Sequence, residues 1–115
     1  DFLSEADTYS LFGNIMDNAI DAVLKIDDAE SRMIDLRIAK KSGFVSISVK
    51  NPYTGTIELA ENGLPLTDKA DKDYHGFGVK SIAFVVKKYG GELSFSIEDG
   101  VFGLNILFYG LKSAE

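Results

Sequence analysis

Polar side chains recur at helical spacing near the start of the sequence, at Asn14, Asn18, Asp21 and Lys25. Steps of three and four residues place these side chains along one face of an α-helix, about a turn apart. Asparagine is a poor helix former because its side chain competes for backbone hydrogen bonds. Its carboxamide also supplies a neutral oxygen that suits a hard metal ion, and two N–H donors. The pattern is compatible with a metal or ligand site and, equally, with a solvated helix face.

A second group of residues joins glycines to the start of an apolar helix. His75, Gly76 and Gly78 precede residues 79–89, where the apolar positions have helical spacing. Glycines before a helix let backbone N–H groups approach an anion, and the helix dipole favours negative charge there. Alone, Gly76 and Gly78 are a weak signal, because the lysine of a P-loop and the third glycine of a dinucleotide motif are missing.

The elements that must position these residues are two helices and four strands. Apolar spacing and a capping Ser4 predict a first helix that runs to about residue 29. Period-2 alternation between turn residues predicts strands at residues 31–41, 44–50, 92–98 and 101–109. Because the strands pair as hairpins, we expect the helices on one face of a mixed, mostly antiparallel sheet, an α+β two-layer sandwich.

A long polar segment lies between the second strand and the second helix. Pro52 ends the strand, since proline cannot continue a hydrogen-bonded ladder. Residues 56–75 then lack clear periodicity and carry many charges and two chain breakers. Such a segment is uncommon in a small domain and is typical of a lid or binding loop, with a flexible connection as the alternative.

Composition limits the classes of function. A length of 115 residues and a hydrophobic content of 45% predict one domain with a packed core. The net charge of −6 argues against a nucleic-acid partner or an anchor to anionic membranes. Without cysteine, the chain has no disulfide or thiolate chemistry, and it contains no apolar run long enough for a membrane span. Because the sequence opens on Asp1 without a methionine, we expect a domain excised from a longer protein.

Three short motifs occur in a fixed order along the chain. They are residues 14–19 (Asn-Ile-Met-Asp-Asn-Ala), residues 49–55 (Val-Lys-Asn-Pro-Tyr-Thr-Gly) and residues 75–79 (His-Gly-Phe-Gly-Val). In order and spacing they resemble the N box and the two glycine boxes of the GHKL superfamily ATP-binding domain, the Bergerat fold, over essentially the whole chain. That superfamily includes gyrase, a heat-shock chaperone, a mismatch-repair protein and the sensor histidine kinases. The second and third motifs are most similar to those of the AgrC-type peptide quorum-sensing receptor kinases.

The resemblance implies a role for each matching residue. Asn18 would bind a magnesium ion that bridges the ATP phosphates, and Asp21 and Lys25 would line the nucleotide pocket. Residues 56–75 would form the ATP lid, from which His75 and either Lys69 or Lys72 would meet phosphate oxygens. His75 is the only histidine, and the alternative interpretation is that it is a solvent-exposed loop residue. The implied ATP-binding set is Asn14, Asn18, Asp21, Lys25, Asn51, Gly55, Lys69, His75, Gly76, Gly78 and Val79, with Asn14 and Asn18 catalytic.

Asn14 separates kinases from ATPases within the resemblance. In the ATP-hydrolysing members a glutamate stands one turn before the magnesium-binding asparagine and orients the attacking water. Asn14 occupies that position here and cannot act as a general base. Phosphoryl transfer depends mainly on positioning and charge neutralisation, so a site without a strong base can serve a histidine acceptor. The sequence therefore favours a kinase.

Asn51 replaces the aspartate that accepts the adenine amino proton in most of the superfamily. Its side-chain oxygen could accept the same hydrogen bond, but its NH₂ group must then face another acceptor or water. A neutral acceptor also forms a weaker bond than a carboxylate, so we expect weak nucleotide affinity.

The resemblance also implies partners and leaves alternatives. The expected partners are a dimerisation domain of the same protein that carries the phosphoacceptor histidine, and a response regulator. We expect the fragment to be monomeric, the intact kinase dimeric, and the domain to lie on the cytoplasmic side of a bacterial membrane receptor. The alternatives are a degenerate GHKL module that acts by protein contact, and a serine kinase of the anti-sigma-factor type, against which Asn14 counts.

Overall fold

The described part of the chain contains two helices, a short 3₁₀ helix and four strands. A computed structural model describes residues 3–54 and 72–109, with side chains at 3–54 and 79–109. No helix in these ranges is long and apolar enough to cross a membrane. In chain order the elements are α1 (Glu5–Leu24), the 3₁₀ helix (Ala29–Ser31), β1 (Asp35–Lys41), β2 (Phe44–Pro52), α2 (Lys72–Lys88), β3 (Glu92–Glu98) and β4 (Val101–Tyr109).

The four strands form one sheet in the order β1-β2-β4-β3. Every neighbouring pair is antiparallel, so the two predicted hairpins and the α+β class are confirmed, whereas the described sheet is not mixed. The β3–β4 turn contains Asp99 at φ 50° and Gly100 at φ 77°. Two successive positive φ values match the twist of a tight hairpin and explain the Asp-Gly pair.

Both helices pack on one face of the sheet. Alternate residues of β2 and β4 point to the helices, as the period-2 pattern requires. By contrast, every residue of β1 is exposed, so β1 is an edge strand that the helices leave uncovered. The buried core consists of Leu11, Ile15, Ala19, Ile47, Val49, Ile82, Val85, Val86, Phe102, Leu104, Ile106 and Phe108.

Helix α1 begins after the predicted cap and ends at Leu24, earlier than the predicted residue 29. The Asp28 carboxylate accepts a hydrogen bond from the Glu30 N–H at 3.1 Å and so starts a separate 3₁₀ helix. The Arg32 Nε donates to the Ile26 carbonyl oxygen at 2.8 Å. These bonds compete with continuation of α1 and delay β1, whose predicted start at residue 31 is also wrong.

Strand β2 includes Pro52, beyond its predicted end at residue 50. The Tyr53 N–H donates to the Gly100 carbonyl oxygen at 3.1 Å. The N–H and C=O groups of the odd-numbered residues at this end of β2 therefore point towards β4. Position 52 faces the other way, towards β1, whose pairing with β2 stops at Lys50. The missing N–H of proline therefore removes no ladder bond, and the strand tolerates it.

Helix α2 begins at Lys72, not at the predicted residue 79. Gly76 and Gly78 therefore lie within its N-terminal part and not in a loop before it. A glycine inside a helix costs about 1 kcal/mol relative to alanine, but it keeps its N–H donor and does not end the helix as proline would. Of the predicted lid, residues 72–75 are helical, and residues 56–71 lie outside the described residues.

Candidate functional site

Helices α1 and α2 pack against each other, and one face of α1, its polar flank, carries Asn14, Asn18, Asp21 and Lys25. Asp7 lies on this flank, and its Oδ2 accepts hydrogen bonds from the Tyr89 hydroxyl at 2.6 Å and from Lys88 Nζ at 2.9 Å. The first turns of α1 therefore meet the end of α2. Asn18 lies three turns further along α1, roughly 16 Å from Asp7. The first motif and the third motif thus lie on two helices that pack against each other.

The side chains of this flank are half-buried at its centre. Asn14, Asn18 and Asp21 are each partly buried, and Lys25 is exposed at the C-terminal cap of α1. Asn14 Nδ2 donates to the Ser10 carbonyl oxygen at 2.7 Å and lies 3.4 Å from Ser10 Oγ. Because its own helix holds the nitrogen, the amide of Asn14 turns its oxygen away from Ser10.

Asn51 is the only buried polar side chain in the described part of the chain, with 2% of its surface exposed. It lies in β2 on the side that faces the helices, in phase with the buried Ile47 and Val49. Asn51 Nδ2 donates to the Pro52 carbonyl oxygen at 2.9 Å. This carbonyl is therefore the acceptor that the sequence required for the NH₂ group of Asn51.

The junction between the two helices is charged. Hydrogen bonds from the Tyr89 hydroxyl and the Lys88 ammonium, donated to the Asp7 carboxylate, lower the pKa of Asp7 below its usual value. The same carboxylate raises the pKa of Lys88. The charged forms of both partners are favoured, so the contact is an ion pair at neutral pH.

The structure describes the other predicted site residues to different extents. Val79 is buried, with 4% of its surface exposed, so it contributes to packing of the domain interior. His75, Gly76 and Gly78 belong to the backbone of α2, and the His75 side chain is outside the described residues. Gly55 and Lys69 also lie outside the described residues.

Two contacts at the site were missed by sequence reasoning. One is the junction of Asp7 with Lys88 and Tyr89, for which the signal was an acidic residue in phase with the polar flank of α1. The other is the bond between Asn51 and the Pro52 carbonyl, for which the signal was a polar residue at an inward position of an apolar strand.

The chemistry of the donor set fits magnesium and a nucleotide. Magnesium prefers oxygen ligands and retains several waters, so it needs few groups from the protein. The flank offers amide oxygens from Asn14 and Asn18 and the carboxylate of Asp21, all partly buried. On the helix-facing side of the sheet, Asn51 adds a buried amide that can accept a hydrogen bond.

Comparison with known proteins identifies the family. The family model of the GHKL domain matches residues 3–109. The chain belongs to the GHKL family, and the resemblance stated from three motifs is confirmed at this level. No curated protein matches the chain.

A solved structure shares the fold. The histidine kinase AdeS of Acinetobacter baumannii matches with a TM-score of 0.61 and 11% sequence identity. The match covers 93% of this chain and 47% of the AdeS chain, so this chain spans about half the length of that solved chain. At this identity the likeness concerns the fold.

Proposed function

We propose that this chain is the ATP- and magnesium-binding catalytic domain of a two-component sensor histidine kinase. In the whole protein it supplies the γ-phosphate to a histidine on a separate dimerisation domain, from which a response regulator takes it. The proposal includes a cytoplasmic position in a bacterial membrane receptor, as in the AgrC-type kinases that the motifs resemble.

One observation supports the proposal: in a chain of the GHKL family, the half-buried residues Asn14, Asn18 and Asp21 lie on a helix that packs against the helix that bears the third motif. Polar residues are usual on solvated helix faces, but here Asp7, in phase with this flank, accepts hydrogen bonds from the end of a second helix. The fold of the histidine kinase AdeS adds support for the kinase branch of the family.

Different residues bind different parts of the nucleotide. A bound ATP–magnesium complex supplies the transferable phosphoryl group and neutralises its charge. Asn18 contributes a neutral oxygen for the metal, and Asp21 and Lys25 line the pocket beside it. Asn51 accepts the hydrogen bond of the base from the helix-facing side of the sheet.

Asn14 supports a kinase over an ATPase. Its Nδ2 is held by the Ser10 carbonyl at 2.7 Å, and an amide oxygen has no useful basicity at neutral pH. The group can accept a hydrogen bond from water but cannot remove the proton. An acceptor histidine that is itself a nucleophile does not need that base.

The test is a titration of the chain with a fluorescent ATP analogue, with and without magnesium. We expect magnesium-dependent binding that Asn18→Ala weakens roughly tenfold or more, since a metal-site oxygen is lost. Asn105→Ala is the matched control, because Asn105 alternates with the inward-facing Leu104 and Ile106 and so lies on the sheet face opposite the helices. Its binding should equal that of the unchanged chain.

Three results would contradict the proposal. One is the absence of binding at millimolar nucleotide, which would favour a module that acts by protein contact. Another is equal loss in Asn18→Ala and Asn105→Ala, which would place the nucleotide away from α1. The third is transfer of phosphate to a serine protein by this chain alone, which would instead favour the anti-sigma-type kinase.

A further inference from the structure

A buried asparagine beside a nucleobase is chemically ambiguous. Its oxygen only accepts hydrogen bonds and its NH₂ group only donates them. One orientation of the amide therefore suits a purine with a 6-amino group, and the flipped orientation suits a purine with a 6-oxo group. Aspartate has no such ambiguity, because a carboxylate only accepts. The base preference of a site built on Asn51 thus depends on what holds its amide.

The Pro52 carbonyl holds the amide in one orientation. Asn51 Nδ2 lies 2.9 Å from this oxygen. A flipped amide would bring its oxygen to a similar distance from the carbonyl, which places two acceptors against each other. Because Asn51 is only 2% exposed, water cannot readily compensate for the lost bond.

The carbonyl is itself well placed for this task. Pairing between β1 and β2 stops at Lys50, so the Pro52 carbonyl lies past the end of that ladder and its oxygen remains available. The next residue, Tyr53, is anchored to β4 through the Gly100 carbonyl at 3.1 Å. The proline ring also fixes φ near −65°, which removes one of the two backbone rotations that position this carbonyl.

We infer that the Pro52 carbonyl orients Asn51 as a dedicated acceptor, so that the site selects 6-amino purines over 6-oxo purines without a carboxylate. The inference rests on the proposed function and specifies its ligand. A 6-amino group donates to Asn51 Oδ1, whereas a 6-oxo group would face it as a second acceptor. We expect ATP to bind roughly tenfold or more tightly than ITP, the value of about one hydrogen bond.

Three nucleotides separate an oriented amide from a free one. Magnesium complexes of ATP, ITP and purine riboside triphosphate differ at the 6-position, which carries a donor, an acceptor or only hydrogen. An oriented amide predicts affinities in the order ATP, purine riboside triphosphate, ITP, measured by calorimetry on the unchanged chain. A freely flipping amide predicts that ATP and ITP bind alike and that the unsubstituted purine binds most weakly, and this order would overturn the inference.

A variant pair locates the preference. In Asn51→Leu, which removes both polar groups at similar size, the ATP-to-ITP affinity ratio should fall towards one. Asn105→Leu makes the same change on the opposite face of the sheet and should leave the ratio unchanged. A ratio that persists in Asn51→Leu would show that another group selects the base and would overturn the inference. If Asn51→Leu does not fold, the three-nucleotide series on the unchanged chain still decides.

The two proposals fail in different ways. If none of the three nucleotides binds, the nucleotide-binding function fails and the inference falls with it. If all three bind with equal affinity, nucleotide binding stands and only the orientation of Asn51 is refuted.

Discussion

The Tyr89 hydroxyl donates a hydrogen bond of 2.6 Å to the Asp7 carboxylate and thereby joins the end of α2 to the first turns of α1. The same hydroxyl accepts a bond from the Ser4 backbone N–H at 3.2 Å. Ser4 is the N-cap of α1 and accepts from the Asp7 N–H at 3.0 Å. The start of one helix is thus fixed to the end of the other, on the flank where the candidate site lies.

Removing this hydroxyl should loosen the two helices. In Tyr89→Phe the aromatic ring remains, together with its edge-to-face contact with Phe108, whose centroid lies 6.4 Å away. The bonds of the hydroxyl to Asp7 and Ser4 are lost. We expect a Tm lower by a few degrees in thermal unfolding followed by circular dichroism, because a partly buried carboxylate then has one donor fewer.

The control for this change is Tyr9→Phe. Tyr9 lies on α1 and is 84% exposed, so loss of its hydroxyl should leave the Tm unchanged. Equal Tm values for Tyr89→Phe and the unchanged chain would mean that the junction contributes nothing to stability.

The charge on Asp7 predicts how stability depends on pH. Its folded-state pKa is lowered, so its stabilising effect is complete above the unfolded value near 3.8 and is lost as the pH falls through the lower folded value. The pKa of Lys88 is raised, so its effect persists until the pH rises above its unfolded value of 10.5. Between these limits the ion pair is complete.

Asp7→Asn should therefore lower the Tm at pH 7, and the difference from the unchanged chain should shrink below pH 4. The measurement is a series of thermal melts from pH 7 down to pH 3 at constant ionic strength. A difference that stays constant over this range would show that the amide disrupts packing and that the charge is irrelevant. Asp17→Asn, an exposed change on the same helix, controls for net charge.

Local patterns predicted much of this fold. The bounds of β3 and β4 follow from strict alternation on either side of Asp99-Gly100, a turn whose backbone geometry only few residue pairs adopt readily. The predicted end of α1 at residue 29 was wrong because the Asp28 side chain caps a separate 3₁₀ helix. Hydrophobic spacing does not reveal such a side-chain bond to the backbone.

In the candidate site, too, some features follow from local sequence patterns and others do not. Helical spacing correctly predicted that the side chains of Asn14 and Asn18 share a flank. It could not show that Asp7, in phase with this flank, bonds to the end of α2, because Asp7 and its partner Lys88 are separated by 81 positions in the chain. The orientation of the Asn51 amide likewise depends on where β1 stops pairing, a property of the folded sheet.

The same substitution, glycine to alanine, should change the free energy of unfolding in opposite directions at Gly13 and Gly91. Gly13 lies within α1, and a Cβ added there would have no atom within 4 Å. Gly13→Ala should raise the free energy of unfolding by about 0.5–1 kcal/mol, since glycine lowers helix stability through backbone entropy. At Gly91 an added Cβ would lie 2.8 Å from both the Leu107 carbonyl oxygen and Phe108 Cδ1. Gly91→Ala should lower the free energy of unfolding by about 1–3 kcal/mol, the usual effect of overpacking.

Urea unfolding of both variants checks the pair, and each variant serves as the control for the other. The contrast matters for function because Gly13 immediately precedes Asn14 on α1. If Gly13→Ala stabilises the chain and leaves nucleotide binding unchanged, glycine at this position has no role in the site. If it stabilises the chain but weakens binding, the open space beside Gly13 is used by the ligand or by a partner domain, and the site extends further around α1 than the flank of Asn14 and Asn18. A destabilised Gly13→Ala would contradict the open surroundings of Gly13 in the structure.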